Sequence, residues 1–213
     1  MRRYLKLNVF IILLVTAKLA SAHPHVWIDL RIKPLMNEQG NLLGLEQAWR
    51  FDPFYSLVLI EELDKGGPKV ELEERYDQLS IEIVNNLNGV NFFTQGHILK
   101  EVIQWEKVTD FTLIKVGQQL ELRFYLPLLN PLKIKELPFT YRIYDPTYYI
   151  EMLHATEEGT DSSALNLGCK IKLETPKPSF DLIQKALALD KDATSNNSQL
   201  GRNFSEKVTL DCL

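Results

Sequence analysis

Apolar and polar residues alternate from His25 to Lys33, the period of a half-buried β-strand. "NEQGN" at 37–41 is turn chemistry, and Leu42 to Phe51 resumes the alternation, so a β-hairpin is expected. At "FDPFYSLVLIEELDK" the period changes. Asp52 is a good helix N-cap with Pro53 at the first helical position, and "GGP" at 66–68 ends the helix. Val70, Leu72, Tyr76, Leu79, Ile83 and Leu87 then recur at near-helical spacing and predict a second helix over 70–88, stopping near Gly89.

Strands are expected at 91–95, 97–107, 109–116, 119–126, 138–145 and 148–153, separated by Gly, Pro and Asn positions. "GQQ" at 117–119 and "DPT" at 145–147 read as tight turns. After a polar loop at 157–163, "GCKIKLE" predicts a strand, "KPSFDLIQKALALDKD" a helix and "FSEKVTLDC" a last strand, with "SNNSQLGRN" as a flexible connection. Helices inserted among mainly antiparallel strands give an α+β class: two helices after the first hairpin and one late helix.

The first 22 residues stand outside this pattern. Arg2, Arg3 and Lys6 precede an apolar run from Val9 to Ala17, and Ala20-Ser21-Ala22 supplies a small-x-small cleavage site. The run is far shorter than the ~20 residues of a membrane span. The expectation is a signal peptide over 1–22 and a single periplasmic α+β domain over 23–213, with no transmembrane segment in the mature chain. Removing the leader's Arg2, Arg3, Lys6 and Lys18 takes the 24 basic residues to 20 against 28 acidic ones, a net charge of about −8. Nucleic acid is excluded as a partner, because phosphate backbones require clustered Lys and Arg.

Cys169 and Cys212 are the two cysteines, and in an exported chain an even pair predicts a disulfide. It would tie a C-terminal subregion, 164–213, and stabilise it by roughly 2–4 kcal/mol. No C-x-x-C spacing supports a redox role.

Cleavage after Ala22 would leave a chain beginning His-Pro-His. The α-amine and imidazole of His23 then form a chelate, and His25 adds a third nitrogen. Such nitrogen donors suit transition metals, zinc or nickel above all, with cobalt and copper also admitted. Pro24 excludes the square-planar site built on deprotonated backbone amides, since proline has no N–H. Strand geometry places His23, His25, Trp27 and Asp29 on one face, so Asp29 is a candidate oxygen ligand or an acceptor for an imidazole N–H. Paired histidines near a terminus can equally face solvent without function. His97 and His154 are isolated in the sequence and read more simply as strand or surface residues.

"RFDPFYS" (50–56) and "YDPTYYIEM" (144–152) share an Asp-Pro core flanked by aromatics. For Asp52 the helix cap is a sufficient explanation. For Asp145 a turn and a metal ligand both remain open. No G-x-S-x-G or H-E-x-x-H motif is present, so an enzyme is not expected. One enzymatic alternative is a copper-dependent oxidase, since an N-terminal histidine chelate is similar to the copper brace of oxidative polysaccharide-cleaving enzymes. A two-lobed solute-binding protein would be longer and richer in βαβ pattern.

"HPHVWID", "WRFDPFYS" and "YRIYDPTYYIEM", in this order and with late cysteines, resemble the exported proteins grouped as domain-of-unknown-function family one thousand and seven. The resemblance covers nearly the whole mature chain. It implies a periplasmic protein, labelled as a component of an ABC-type transport system and encoded beside a permease similar to nickel/cobalt exporters. The implied role is therefore accessory to zinc, nickel or cobalt transport, with an inner-membrane metal permease as partner. A periplasmic interaction module that binds no metal is the alternative. One departure stands out: relatives carry an acidic, calcium-loop-like segment between the two helices, where this chain has "LDKGGPKVELEE" (63–74). Counting from Asp64, the third, fifth and sixth loop positions are Gly66, Pro68 and Lys69, so that calcium site is not expected here.

Overall fold

The computed structural model of the chain describes residues 24–65, 71–155, 168–189 and 199–212. The signal-peptide reading, His23, the "GGP" helix stop and the 157–163 loop all lie outside them. Strands β1 (Val26–Met36) and β2 (Leu42–Phe51) form the expected hairpin, paired from Ile28↔Phe51 to Met36↔Leu42. Helices α1 (Pro53–Lys65) and α2 (Leu72–Asn88) follow. Next come β3 (Thr94–Ile98), β4 (Glu101–Val102), β5 (Phe111–Val116), β6 (Gln119–Leu132), β7 (Phe139–Ile143) and β8 (Ile150–His154). The chain closes with β9 (Lys170–Glu174), α3 (Phe180–Leu187), α4 (Leu200–Phe204) and β10 (Lys207–Asp211).

These strands make two five-stranded sheets, ordered β5-β6-β2-β1-β8 and β4-β3-β7-β10-β9. Among the described residues every strand pair is antiparallel except β1 with β8, so the class is α+β as the pattern implied. The first sheet buries Val26, Ile28, Leu30 and Ile32 of β1, Leu45 and Trp49 of β2, and Leu120, Leu122, Phe124 and Leu126 of β6. Phe139, Tyr141, Val208 and Leu210 of the second sheet join the same core cluster, with α1 and α2 packed against it. Period two is what allows this: each strand has one face to give to the common core.

The opposite face of the first sheet is pinned by charge. Glu121 is 1 % exposed, and its carboxylate meets Arg31 at 3.1 Å, Arg50 at 2.7 Å and Arg123 at 2.7 Å. Burial pushes its pKa up, but hydrogen bonds and charge from Arg123 and Arg50 outweigh that and leave it below the ordinary value. A buried carboxylate is tolerated when its lone pairs are met this fully. Its partners sit on three adjacent strands, so a one-residue slip would strand the charge.

Two expectations fail between 91 and 107. Asn91–Phe93 form a short turn, not a strand, with φ values of 49°, 51° and 53°. The reason is aromatic packing: Phe92 is fully buried and lies 6.1 Å from Trp49 and 4.4 Å from Phe124, while Phe93 stacks on Trp49. Burial of rings this large outweighs a left-handed backbone cost of roughly 1–2 kcal/mol per residue. The expected strand over 97–107 is broken at Leu99, where φ is 54°. β3 turns there into the two-residue β4, and only Trp105 re-pairs, with Leu128.

The end of the chain is ordered differently from the reading of "SNNSQLGRN" as a flexible connection: Leu200–Phe204 is a short helix. It rests on the 145–147 turn, with Gly201 N–H donating to Pro146 O at 3.2 Å. A Cβ at Gly201 would lie 1.8 Å from the Asp145 carbonyl, so only glycine admits this approach. Cys169 and Cys212 are joined by the expected disulfide. No helix among the described residues is long and apolar enough to cross a membrane.

Candidate functional site at the start of the first strand

Asp52 does more than cap α1. Its Oδ1 accepts the N–H groups of Phe54 and Tyr55, each at 2.9 Å, which is the N-cap expected from "DPFY". Its Oδ2 accepts the N–H of Trp27 at 3.2 Å, and its own N–H donates to Trp27 O at 2.9 Å. One residue thus fastens the first helix to the start of the first strand.

The second Asp-Pro motif works in the same way. Asp145 is 6 % exposed. Its Oδ1 accepts from Thr147 N–H and the Thr147 hydroxyl, at 2.9 and 2.8 Å, and its Oδ2 from the N–H groups of Tyr149 and Ile150, at 2.9 and 3.1 Å. These bonds hold Tyr148 in a left-handed conformation, φ 61°, and aim the chain into β8. The Tyr149 carbonyl then accepts His25 N–H at 2.9 Å, and the pairing continues as Val26↔Ile150 through Leu30↔His154.

The three sequence motifs therefore meet at residues 25–27. The His25 imidazole lies against the Tyr149 ring, centroids 4.7 Å apart and tilted by 35°. The Tyr55 phenol has its pKa raised by burial first, then by Tyr149, Glu62 and Asp52. Trp27, Phe54 and Tyr149, all in or beside the three motifs, are 47 %, 75 % and 44 % exposed.

The expected ligands fare unequally. His25 stands at this corner, half-buried. Asp29 is exposed four residues further along β1, about 13 Å away at the rise of a strand, and it pairs across to Arg50. One ion cannot take both His25 and Asp29. Asp145 is close in the fold, but its carboxylate is filled by backbone N–H groups and a hydroxyl, so it acts as the turn residue. Among the described residues no three His, Cys, Asp or Glu side chains cluster as a metal site. The remaining expected donors, the amine and imidazole of His23, lie outside the described residues.

Sequence reasoning missed a second polar cluster. His154 is buried, and Glu206, 52 residues away, meets both its backbone N–H at 2.7 Å and its Nδ1 at 2.8 Å through one oxygen, Oε2. Tyr141 Oη approaches its Nε2 at 3.4 Å. Burial, then Glu206, drives the Tyr141 phenol far above its usual pKa. Burial also raises the Glu206 pKa, but the hydrogen bonds and charge of His154 prevail and hold it low. The cluster joins β8 of one sheet to β7 of the other and to the residue just before β10, a bond between sheets. Nothing in the local sequence signals it, because no two of its members are within a dozen residues of each other.

The family model described as "Protein of unknown function (DUF1007)" matches residues 8–212. An uncharacterized protein of Haemophilus influenzae is 28% identical over 193 residues, which is 90% of this chain and 91% of that protein.

Asp52→Ala removes the acceptor of three N–H groups. It is expected to cost about 1–2 kcal/mol in denaturant unfolding and to speed amide exchange at Trp27. Unchanged exchange there would refute the clamp. Glu206 has a folded pKa below its unfolded one. Its stabilising contribution is complete above the unfolded value of ~4.3 and is lost as pH falls through the folded value. Unfolding titrations below that pH should therefore be less steep for Glu206→Gln than for the parent chain; identical slopes would contradict the assignment.

Proposed function

Because the chain belongs to the DUF1007 family, whose description assigns no activity, we propose that it is an exported accessory protein of transition-metal transport. It is a carrier, not an enzyme. In this reading the leader is removed after Ala22 in the periplasm. The new N-terminus then holds one zinc or nickel ion as cargo through the His23 amine and imidazole and the His25 imidazole. An inner-membrane metal permease is the partner that receives or supplies the ion.

The supporting observation is the convergence of the three motifs. Two carboxylates and a parallel strand pairing fix where residue 25 leaves the sheet. A terminus with no task gains nothing from being held on both sides, since chain ends otherwise fray at little cost. A chelate does gain, because a donor already placed loses less freedom when the ion binds. This reading leaves Asp29 out of the ligand set for its distance from His25, and Asp145 because its carboxylate already accepts from Thr147, Tyr149 and Ile150.

The exposed Trp27, Phe54 and Tyr149 favour a second reading, in which the same corner is an aromatic contact surface for a membrane partner and no metal is held. The two readings part on one titration. Protein exported with its own leader and stripped of metal should bind zinc or nickel at one site by calorimetry. His23→Ala and His25→Ala should each weaken that binding by about tenfold or more, the effect of losing one nitrogen donor, with unchanged thermal unfolding. Asp29→Asn should leave it unaltered. Binding that survives both histidine substitutions would overturn the metal reading; no binding by the parent chain would leave the contact surface as the function.

A further inference from the structure

The outer face of the second sheet carries a charge pattern opposite to that of the whole chain. With 24 basic and 28 acidic residues the protein is acidic. Yet a cleft of about 650 Å³ between the end of β9 and helix α4 is lined by Arg142, Lys172, Lys177 and Arg202 with one carboxylate, Glu174. Strand alternation explains part of this. Tyr141 and Ile143 of β7 point into the core, so Arg142 faces outward. On β9, Lys172 and Glu174 are paired with Thr209 and Lys207 of β10.

Glu174 forms its ion pairs with lysines and not with the guanidiniums. It is engaged by Lys172 at 2.5 Å and by Lys207 at 3.0 Å. Arg142 is half-buried and held in place, its Nη1 donating to Ser205 O at 2.7 Å and to Ser205 Oγ at 3.2 Å. No described residue forms an ion pair with Arg202. Burial, then the nearby Arg202 charge, lowers the Arg142 pKa, against a smaller opposing pull from Tyr144 and Glu174. His97 feels the same field, its pKa lowered by burial and then by Arg202 and Arg142. Like charges gathered in a partly desolvated cleft, one of them fixed by a neighbour, form an arrangement that an anion would relieve.

We propose that this cleft is a binding site for a phosphate-bearing ligand, with the Arg142 and Arg202 guanidiniums taking its oxygens and Lys177 adding a third cation. Guanidinium forks match tetrahedral oxyanions, and three cations beside one carboxylate already held by two lysines favour a dianion over a monocarboxylate. The cleft shares no lining residue with the His25 corner, and the proposal stands independently of the metal reading.

The test uses the full exported chain in two arms at low ionic strength. Calorimetry with inorganic phosphate reads a soluble source, and flotation with phosphatidylglycerol-containing vesicles reads a lipid headgroup. Arg202→Gln is the informative variant because Arg202 supports no described hydrogen bond through its side chain, whereas Arg142→Gln also loses the Ser205 contacts. Lys33→Gln, on the other sheet and paired with Glu46, is the control. The expected result is saturable binding in at least one arm, weakened about tenfold or more by Arg202→Gln, the scale of a lost charge-assisted hydrogen bond, and unaltered by Lys33→Gln. Phosphate binding identifies a soluble phosphorylated ligand, and vesicle binding without phosphate binding identifies a headgroup. Failure of both arms, or binding indifferent to Arg202→Gln, overturns the proposal.

Discussion

The carboxylate of Asp52 holds the first strand to the first helix, and the rest of the molecule is arranged around that bond. β1 is an interior strand, with β2 on one side and β8 on the other. An interior strand must present both edges in register from its first residue. Asp52 supplies the constraint on one side through Trp27, and Asp145 on the other through the turn that delivers the Tyr149 carbonyl to His25. Once the start is set, alternation carries Val26, Ile28, Leu30 and Ile32 into the core and leaves Trp27 and Asp29 outside.

Polar contacts then distribute the constraint. Glu121 locks β1, β2 and β6 from the outer face, and the His154–Glu206 pair ties the first sheet to the second beneath the core. Each involves a buried carboxylate, costly unless every lone pair is met. Each therefore specifies one register more strongly than apolar packing alone, which would tolerate small shifts. The result is a defined register for the corner at His25, while the second sheet carries a basic cleft.

Much of this was legible in the sequence, and the failures have physical causes. β2 was readable to its bounds because a turn motif and a capping Asp flank a clean alternation. The α1 start was readable because its cap is local. Phe92 and Phe93 were misread because their preference for a strand yields to the Trp49 and Phe124 rings, which lie far off in the chain. Apolar residues from Ile98 to Trp105 mimic one strand, while the left-handed Leu99 divides it. Of the site, His25 was visible. That the two Asp-Pro motifs face the same residues from opposite sides was not, because only the parallel β1–β8 pairing brings them there. Asp145 shows the limit of motif reading: turn and ligand were equally open until its lone pairs could be counted.

The central claim, that the fold fixes an N-terminal histidine chelate, is tested most directly by native mass spectrometry. The sample would be the chain exported with its own leader and purified without chelator. The account predicts a polypeptide beginning at His23, with the Cys169–Cys212 bond intact and one transition-metal ion that is lost on acidification. A chain beginning at His23 that stays metal-free after zinc, nickel and copper are offered would contradict it.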